Sequence, residues 1–120
     1  MEPIRTDVVS AVFDGTGFIH DFGVTENWCI FSVPPSKLNN VNLIKALFGL
    51  APFASVVDFQ NDADYTQIIL IPRLKHFPPN SNGNSVKVGE DERIKVIKVP
   101  FHFSFHCANA FENKGTLSLT

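Results

Sequence analysis

The side chains best suited to chemistry in this sequence are its four histidines, His20, His76, His102 and His106. His102 and His106 are four residues apart in the alternating run FHFSFH, so in a strand both imidazoles would lie on one face and could hold a metal ion. An HxxxH pair without an acidic partner is a weak signal. On spacing alone, an equally good interpretation is that one of these histidines belongs to a polar network and the other is exposed, with no metal bound.

His20 lies in the run GFIHDF, where a lone histidine is more often a hydrogen-bonded core residue than a metal ligand. Asp21 follows it, but successive side chains of a strand point to opposite faces, so Asp21 is not its natural partner. His76, in LKHFPP, is expected to face solvent. The residues alone therefore indicate a histidine-containing β protein with a hint of a metal site.

The composition is that of an ordinary globular chain of one domain or less, with 120 residues, 44% of them hydrophobic and 18% charged. A net charge of -2 gives no support to nucleic-acid binding. The longest apolar run is too short to span a membrane. Cys29 and Cys107 lack CxxC spacing, so two buried free thiols in a reducing, cytoplasmic compartment are favoured over a disulfide.

Short strands separated by turn residues must position the histidines. Strands are predicted at 8–13, 27–33, 54–59, 65–71, 93–99 and 116–120, and 101–106 also alternates. Turns or loops are predicted at 14–17, 60–64 and 78–85, and at Gly115. A sandwich, a barrel or propeller blades fit this pattern, and a chain that stops inside a strand is expected to be part of something larger.

One helix is predicted after Pro34 and Pro35, which end the second strand. Ser36 is the expected N-terminal cap and Gly49 lies where a C-terminal cap belongs. Its apolar side chains fall on one face, which is expected to pack: Leu38, Val41, Leu43, Ile44, Leu47 and Phe48.

Two segments, HDFGVTEN at 20–27 and FHCANAFE at 105–112, resemble the signatures of the carotenoid cleavage oxygenases. This family includes the lignostilbene and apocarotenoid dioxygenases. The matching positions are His20, Asp21, Phe22, Thr25, Glu26 and Asn27 in the first signature, and Phe105, His106, Asn109, Ala110 and Glu112 in the second. IPR at 71–73 is similar to a short strand-end motif of the family. The resemblance covers nearly the whole chain but only an internal part of the family's longer protein.

The resemblance implies roughly one to two blades of a seven-bladed β-propeller with one inserted short helix, so residues 1–120 are expected to be a partial carotenoid oxygenase domain. It also implies one non-haem Fe(II) on four histidines at the propeller axis. His20 and His106 match the second and third ligands, and the other two ligand positions have no counterpart in this sequence. His76 and His102 match no ligand position and are expected to be structural.

The resemblance further implies supporting roles around the metal. Asp21, Thr25 and Asn109 are expected to be hydrogen-bonding supports, while Glu26 and Glu112 are expected to brace the strand ends. No residue of this segment is assigned to catalysis itself or to binding an organic cofactor.

The implied activity belongs to the intact parent protein, and this chain alone is expected to be inactive. That activity is an Fe(II)-dependent dioxygenase reaction, in which a conjugated carbon–carbon double bond of a carotenoid, apocarotenoid or stilbene is cleaved. The expected partners are a small apolar conjugated substrate and dioxygen, with no nucleic acid and no transmembrane segment; peripheral membrane contact of the parent stays open. A non-catalytic β-domain or degenerate paralogue that binds or scaffolds is the alternative, and isomerisation is also known in the family.

Overall fold

The computed structural model describes residues 10–13, 19–59, 65–76 and 85–120. Within them lie ten strands: β1 Ser10–Val12, β2 Gly23–Val24, β3 Trp28–Val33, β4 Ser36–Leu38, β5 Val57–Phe59, β6 Tyr65–Pro72, β7 Ser85–Lys87, β8 Lys95–Pro100, β9 Ala110–Asn113 and β10 Thr116–Leu119. The helix α1 is Asn40–Leu47, and short 3-10 helices are Phe53–Val56 and Leu74–His76.

The central element is a four-stranded antiparallel sheet in the order β2-β3-β6-β8. In its register Ile30 pairs with Leu70 and Ile68 with Ile97. The core on its face centres on Ile69, which is 1% exposed. Such a four-stranded unit is the building block of a propeller blade. The strands predicted at 27–33, 65–71 and 93–99 are confirmed, with ends that differ by one or two residues.

Three smaller two-stranded sheets surround this unit. β9 and β10 form an antiparallel hairpin whose turn holds Lys114 at φ 47° and Gly115 at φ 81°. Positive φ at both central residues is what a tight hairpin turn requires, so the predicted turn at Gly115 is confirmed. β1 pairs with β7 in parallel, and β4 pairs with β5 in antiparallel orientation. The hairpin contacts β2, which joins it to the central sheet.

The predicted helix exists, but Ser36 does not cap it. Ser36 belongs to β4, where it pairs with Phe59 of β5. The cap is Asn39, whose side-chain Oδ1 accepts the N–H of Asn42 at 3.0 Å. Asparagine caps as well as serine does, so the residue that directly precedes the helical turn took this role. Gly49 follows the helix at φ 71°, as predicted.

The expected packing of the helix's apolar stripe is wrong for the described residues. Leu47 is 74% and Phe48 77% exposed, and no residue of α1 is buried. The helix contacts mainly the 3-10 helix Phe53–Val56, which contributes one buried side chain, Val56. A four-residue turn offers too little apolar surface to cover a helical stripe.

Of two further predicted strands, the one at 54–59 is only partly formed and the one at 101–106 is absent. In 54–59 the first residues form the 3-10 helix, because the hydroxyl and N–H of Ser55 both donate to the Pro52 carbonyl oxygen, at 2.7 and 3.0 Å. The run 101–106 has no strand. The ladder ends at Pro100, which has no N–H to continue it, so the argument that His102 and His106 share a strand face is wrong. The turns predicted at 14–17 and 60–64, residues 8–9 of the first strand and 78–84 of the predicted loop lie outside the described residues.

Candidate metal centre

His20 and His106 lie next to each other, although they are 86 positions apart in the sequence. His20 precedes β2, and His106 lies in the irregular segment between β8 and β9. Their ring centroids are 5.2 Å apart with an angle of 81° between the ring planes. Both residues are exposed. The fold therefore brings together the two histidines that the resemblance pairs.

Asp21 ties the two histidine-bearing segments together. Its Oδ2 accepts the N–H of Cys107 at 3.0 Å and lies 3.6 Å from His106 Nδ1. Its Oδ1 accepts the N–H of Phe22 at 2.8 Å. The Cys107 N–H, followed by the Phe22 N–H, holds the pKa of Asp21 below its usual value. A carboxylate on the Nδ1 side of an imidazole orients the ring and leaves Nε2 for a metal.

The geometry of the pair fits part of a metal site. A metal–imidazole bond is about 2 Å long, so two rings on adjacent coordination positions have centroids about 4.5 Å apart. The observed 5.2 Å is near this value. Neutral imidazoles suit Fe(II). Among the residues that the structure describes, no group of three or more His, Cys, Asp or Glu side chains is placed to hold a metal ion, so the pair is not a complete site.

The other two histidines make contacts of their own. His102 lines the same pocket as the pair, but its Nε2 lies 3.2 Å from Ser32 Oγ and its Nδ1 3.1 Å from the Pro100 carbonyl oxygen. His76 is exposed, as predicted, and its Nε2 lies 2.9 Å from Asn27 Oδ1. Ser32 was not predicted as a site residue. The sequence feature that could have indicated it is the one hydroxyl in the otherwise apolar strand WCIFSV.

Glu112 braces the hairpin against the central sheet, as expected for the second signature. Its carboxylate accepts the hydroxyl of buried Thr25, the N–H of Asn27 at 2.9 Å and the Asn27 side-chain amide at 2.7 Å. Arg73, of the IPR motif, adds a backbone N–H to the Asn27 carbonyl oxygen at 2.8 Å. Glu26 reaches the segment after β6 through an ion pair with Lys75 at 3.8 Å, but its side chain is 81% exposed and such surface pairs are weak, so a bracing role for Glu26 stays a prediction.

Asn109 supports the same region through its backbone. Its N–H donates to the Thr120 carbonyl oxygen at 3.2 Å, and its own carbonyl oxygen accepts the Thr120 N–H at 2.9 Å. The Cys107 thiol lies 3.5 Å from that carbonyl oxygen. Cys29 and Cys107 are both free and half-buried, so the prediction of free thiols is confirmed and that of full burial is wrong. Burial raises the pKa of the Cys29 thiol.

We expect the Glu112 network to weaken in acid. The Thr25 hydroxyl, followed by the two Asn27 donors, holds the pKa of Glu112 below its ordinary value of 4.5. A carboxyl whose pKa is lower in the folded state stabilises it fully above 4.5, and this contribution is lost as the pH falls through that value to the folded pKa. Glu112→Gln is therefore expected to flatten the fall in the urea midpoint between pH 6 and pH 3.

Glu26→Gln is the matched control for this pH series because the Glu26 side chain is 81% exposed and, among the described residues, pairs with Lys75 at 3.8 Å. Its pH curve is expected to follow that of the unaltered chain. Identical curves for Glu112→Gln and the unaltered chain would contradict the assigned role.

The sequence matches the model of the retinal pigment epithelial membrane protein family over residues 3–120. The chain belongs to this family. It is 38% identical over 109 residues to the apocarotenoid-15,15'-oxygenase of Synechocystis, a match that covers 89% of this chain and 18% of that protein. The chain thus spans about a fifth of the length of its curated relative.

Solved structures agree with this membership. A threonine-to-alanine variant of the Synechocystis apocarotenoid oxygenase and its cobalt-substituted form each match with a TM-score of 0.60 and 36% identity. Each match covers 88% of this chain and 18% of the solved one. The predicted fold class is confirmed: the chain is part of a seven-bladed β-propeller with one inserted short helix. No helix within the described residues is long and apolar enough to cross a membrane.

Proposed function

We propose that this chain is part of an Fe(II)-dependent dioxygenase that cleaves a conjugated carbon–carbon double bond of a carotenoid, apocarotenoid or stilbene. The observation that supports this is the His20–His106 pair, with ring centroids 5.2 Å apart, in a member of a family that includes an apocarotenoid oxygenase. The cobalt-substituted form of that relative supports a metal at the site. When bound, a ferrous ion with open positions supplies the activation of dioxygen.

The residues of this chain would hold the metal ion and orient the histidines that bind it. His20 and His106 supply two imidazoles, and Asp21 lies 3.6 Å from His106 Nδ1 and anchors the next backbone N–H. Glu112 fixes the hairpin that follows His106 against the sheet that follows His20. Apolar side chains, which include Ile30, form part of the wall of the pocket that His20 and His106 line, and they favour an apolar ligand.

The activity is proposed for the intact protein, with residues 1–120 as its partial domain. The chain carries two of the four expected ligands and spans 18% of its relative, so we expect it to be inactive alone. The alternative, a non-catalytic binding or scaffold module, would gain support from histidines that lie apart, and these lie together. Cleavage is preferred over isomerisation because the relative is named an oxygenase.

Two further expectations about the intact protein stay predictions. A cytoplasmic location is supported by the free state of Cys29 and Cys107. Peripheral membrane contact is supported by the exposed apolar side chains of and beside α1, such as Leu47 and Phe48.

We expect weak binding of divalent metal by this chain that depends on the pair. In anaerobic calorimetry with Fe(II), repeated with Co(II) as an oxygen-insensitive probe, the double variant His20→Ala/His106→Ala is expected to bind at least about tenfold more weakly. His102→Ala is the matched control from the same pocket and is expected to bind as the unaltered chain does. Binding that survives in the double variant, or is lost in His102→Ala, would overturn the ligand assignment. Absence of binding in all chains would show that two histidines are not enough.

A further inference from the structure

A serine–histidine pair lies in the same pocket as His20 and His106 but is separate from the proposed ligands. Ser32 Oγ is 3.2 Å from His102 Nε2, and His102 Nδ1 is 3.1 Å from the carbonyl oxygen of Pro100. A carbonyl oxygen only accepts hydrogen bonds, so in the neutral imidazole Nδ1 carries the ring proton and Nε2 is an acceptor. The Ser32 hydroxyl therefore donates to Nε2.

The pair is held in place by a buried residue. Thr66 is 0% exposed, and its hydroxyl donates to the His102 carbonyl oxygen at 2.8 Å and accepts the His102 N–H at 3.0 Å. Both polar groups of the His102 backbone are thus satisfied by one buried side chain. Ser32 lies on β3, an inner strand of the central sheet. The imidazole faces the pocket. Thr66 holds the His102 backbone and β3 holds the Ser32 backbone, so the pair is in place before a ligand binds.

Once it is bonded to His102, the Ser32 hydroxyl can accept a further hydrogen bond but cannot donate one. A hydroxyl has one proton and two acceptor lone pairs, and the proton of Ser32 is used on His102. The pair therefore presents an acceptor to the pocket. An alcohol or phenol can donate to it with every existing bond kept, whereas an ether or carbonyl oxygen can bind only if the Ser32–His102 bond breaks.

The surroundings of the pair are largely apolar. The pocket has a volume of about 220 Å³, and Phe22, Ile30 and Leu119 contribute apolar walls to it. Pockets of this kind bind apolar bodies and use a few placed polar groups to select among them.

We propose that Ser32 and His102 form a binding subsite for the hydroxyl group of an otherwise apolar, conjugated ligand. The inference rests on the proposed function for the apolar body of that ligand, but the subsite itself uses neither His20, His106 nor a metal. Ser32 and His102 are specificity-determining residues in this assignment, and they select a hydrogen-bond donor.

The test compares three ligands of nearly one shape on the metal-free chain: trans-stilbene, trans-4-hydroxystilbene and trans-4-methoxystilbene. Binding is followed by quenching of Trp28, the single tryptophan. We expect the hydroxyl compound to bind about three- to tenfold more tightly than the other two, as one net hydrogen bond allows. Ser32→Ala and His102→Phe are expected to remove this preference, and Ser32→Thr, which keeps a hydroxyl, to retain it.

Ser104→Ala is the matched control, since Ser104 lines the same pocket but its hydroxyl donates to the His106 carbonyl oxygen at 2.8 Å. It is expected to keep the preference. Equal affinities of the unaltered chain for all three ligands, no binding of any of them, or a preference that survives in both Ser32→Ala and His102→Phe would overturn the proposal.

The outcome is separable from that of the proposed function. The double variant His20→Ala/His106→Ala is expected to lose metal binding and keep the hydroxyl preference. Metal binding by the unaltered chain with equal ligand affinities would refute the subsite and leave the oxygenase proposal standing. A hydroxyl preference without metal binding would support the subsite and count against the metal-dependent oxygenase proposal.

Discussion

Ile69→Ala is expected to lower the free energy of unfolding by about 2–5 kcal/mol. Ile69 is 1% exposed at the centre of β6 and packs with Val33 and Ile94. Removing its outer carbons leaves a cavity that a sheet bonded on both sides of β6 cannot close easily. Because small domains are stable by only about 5–15 kcal/mol, this loss is a large part of the total. Urea unfolding followed by circular dichroism measures it.

Ile97→Ala is the matched control for this prediction. It makes the same chemical change on the neighbouring strand β8, where Ile97 is 48% exposed. We expect its effect to stay below about 1 kcal/mol, as for most substitutions away from a core. Equal losses in the two variants would show that the core of this piece does not lie on the Ile69 face.

The strands of the central sheet could be predicted because their signals are local. Runs of apolar residues in β3 and β6 have strand length, and Pro34 and Pro35 mark where the first of them ends. The helix was predicted for the same reason. Its cap was misplaced because Ser36 and Asn39 are both good caps and β4 pairing decided between them. The packing of its apolar face was also predicted wrongly, since that depends on a partner surface and not on the helix's own sequence.

What the sequence could not predict depends on contacts between distant residues. FHFSFH alternates like a strand, yet Thr66, 36 residues earlier, binds the His102 backbone there instead of a ladder partner. The Ser32–His102 pair spans 70 residues and leaves no local pattern. The His20–His106 pairing came from the resemblance alone, since neither spacing nor periodicity links two residues so far apart. Glu112 was placed correctly as a brace, but its partners Thr25 and Asn27 were visible only in the fold.

Gly23→Val is expected to separate the hairpin from the central sheet and with it His106 from His20. A Cβ on Gly23 would lie 3.0 Å from Ala110 Cβ, 3.0 Å from Leu119 Cδ1 and 3.2 Å from Cys107 Sγ. Ala110 Cβ cannot rotate away, so the backbone of β9 must shift. Overpacking of this kind costs about 1–3 kcal/mol. The shift passes to His106, the residue before Cys107, and we expect Co(II) affinity to fall about tenfold.

Val24→Ile is the matched control, because it adds apolar bulk to the next residue of β2, which is 48% exposed and has room for it. It is expected to change neither the unfolding midpoint nor Co(II) affinity. The decisive comparison is made on Gly23→Val chains whose circular dichroism shows a retained sheet, so that metal affinity reports the distance between the imidazoles. If such chains bind Co(II) as the unaltered chain does, the close packing at Gly23 does not set that distance, and the Asp21–Cys107 hydrogen bond and the Glu112 network must hold the two segments together without it.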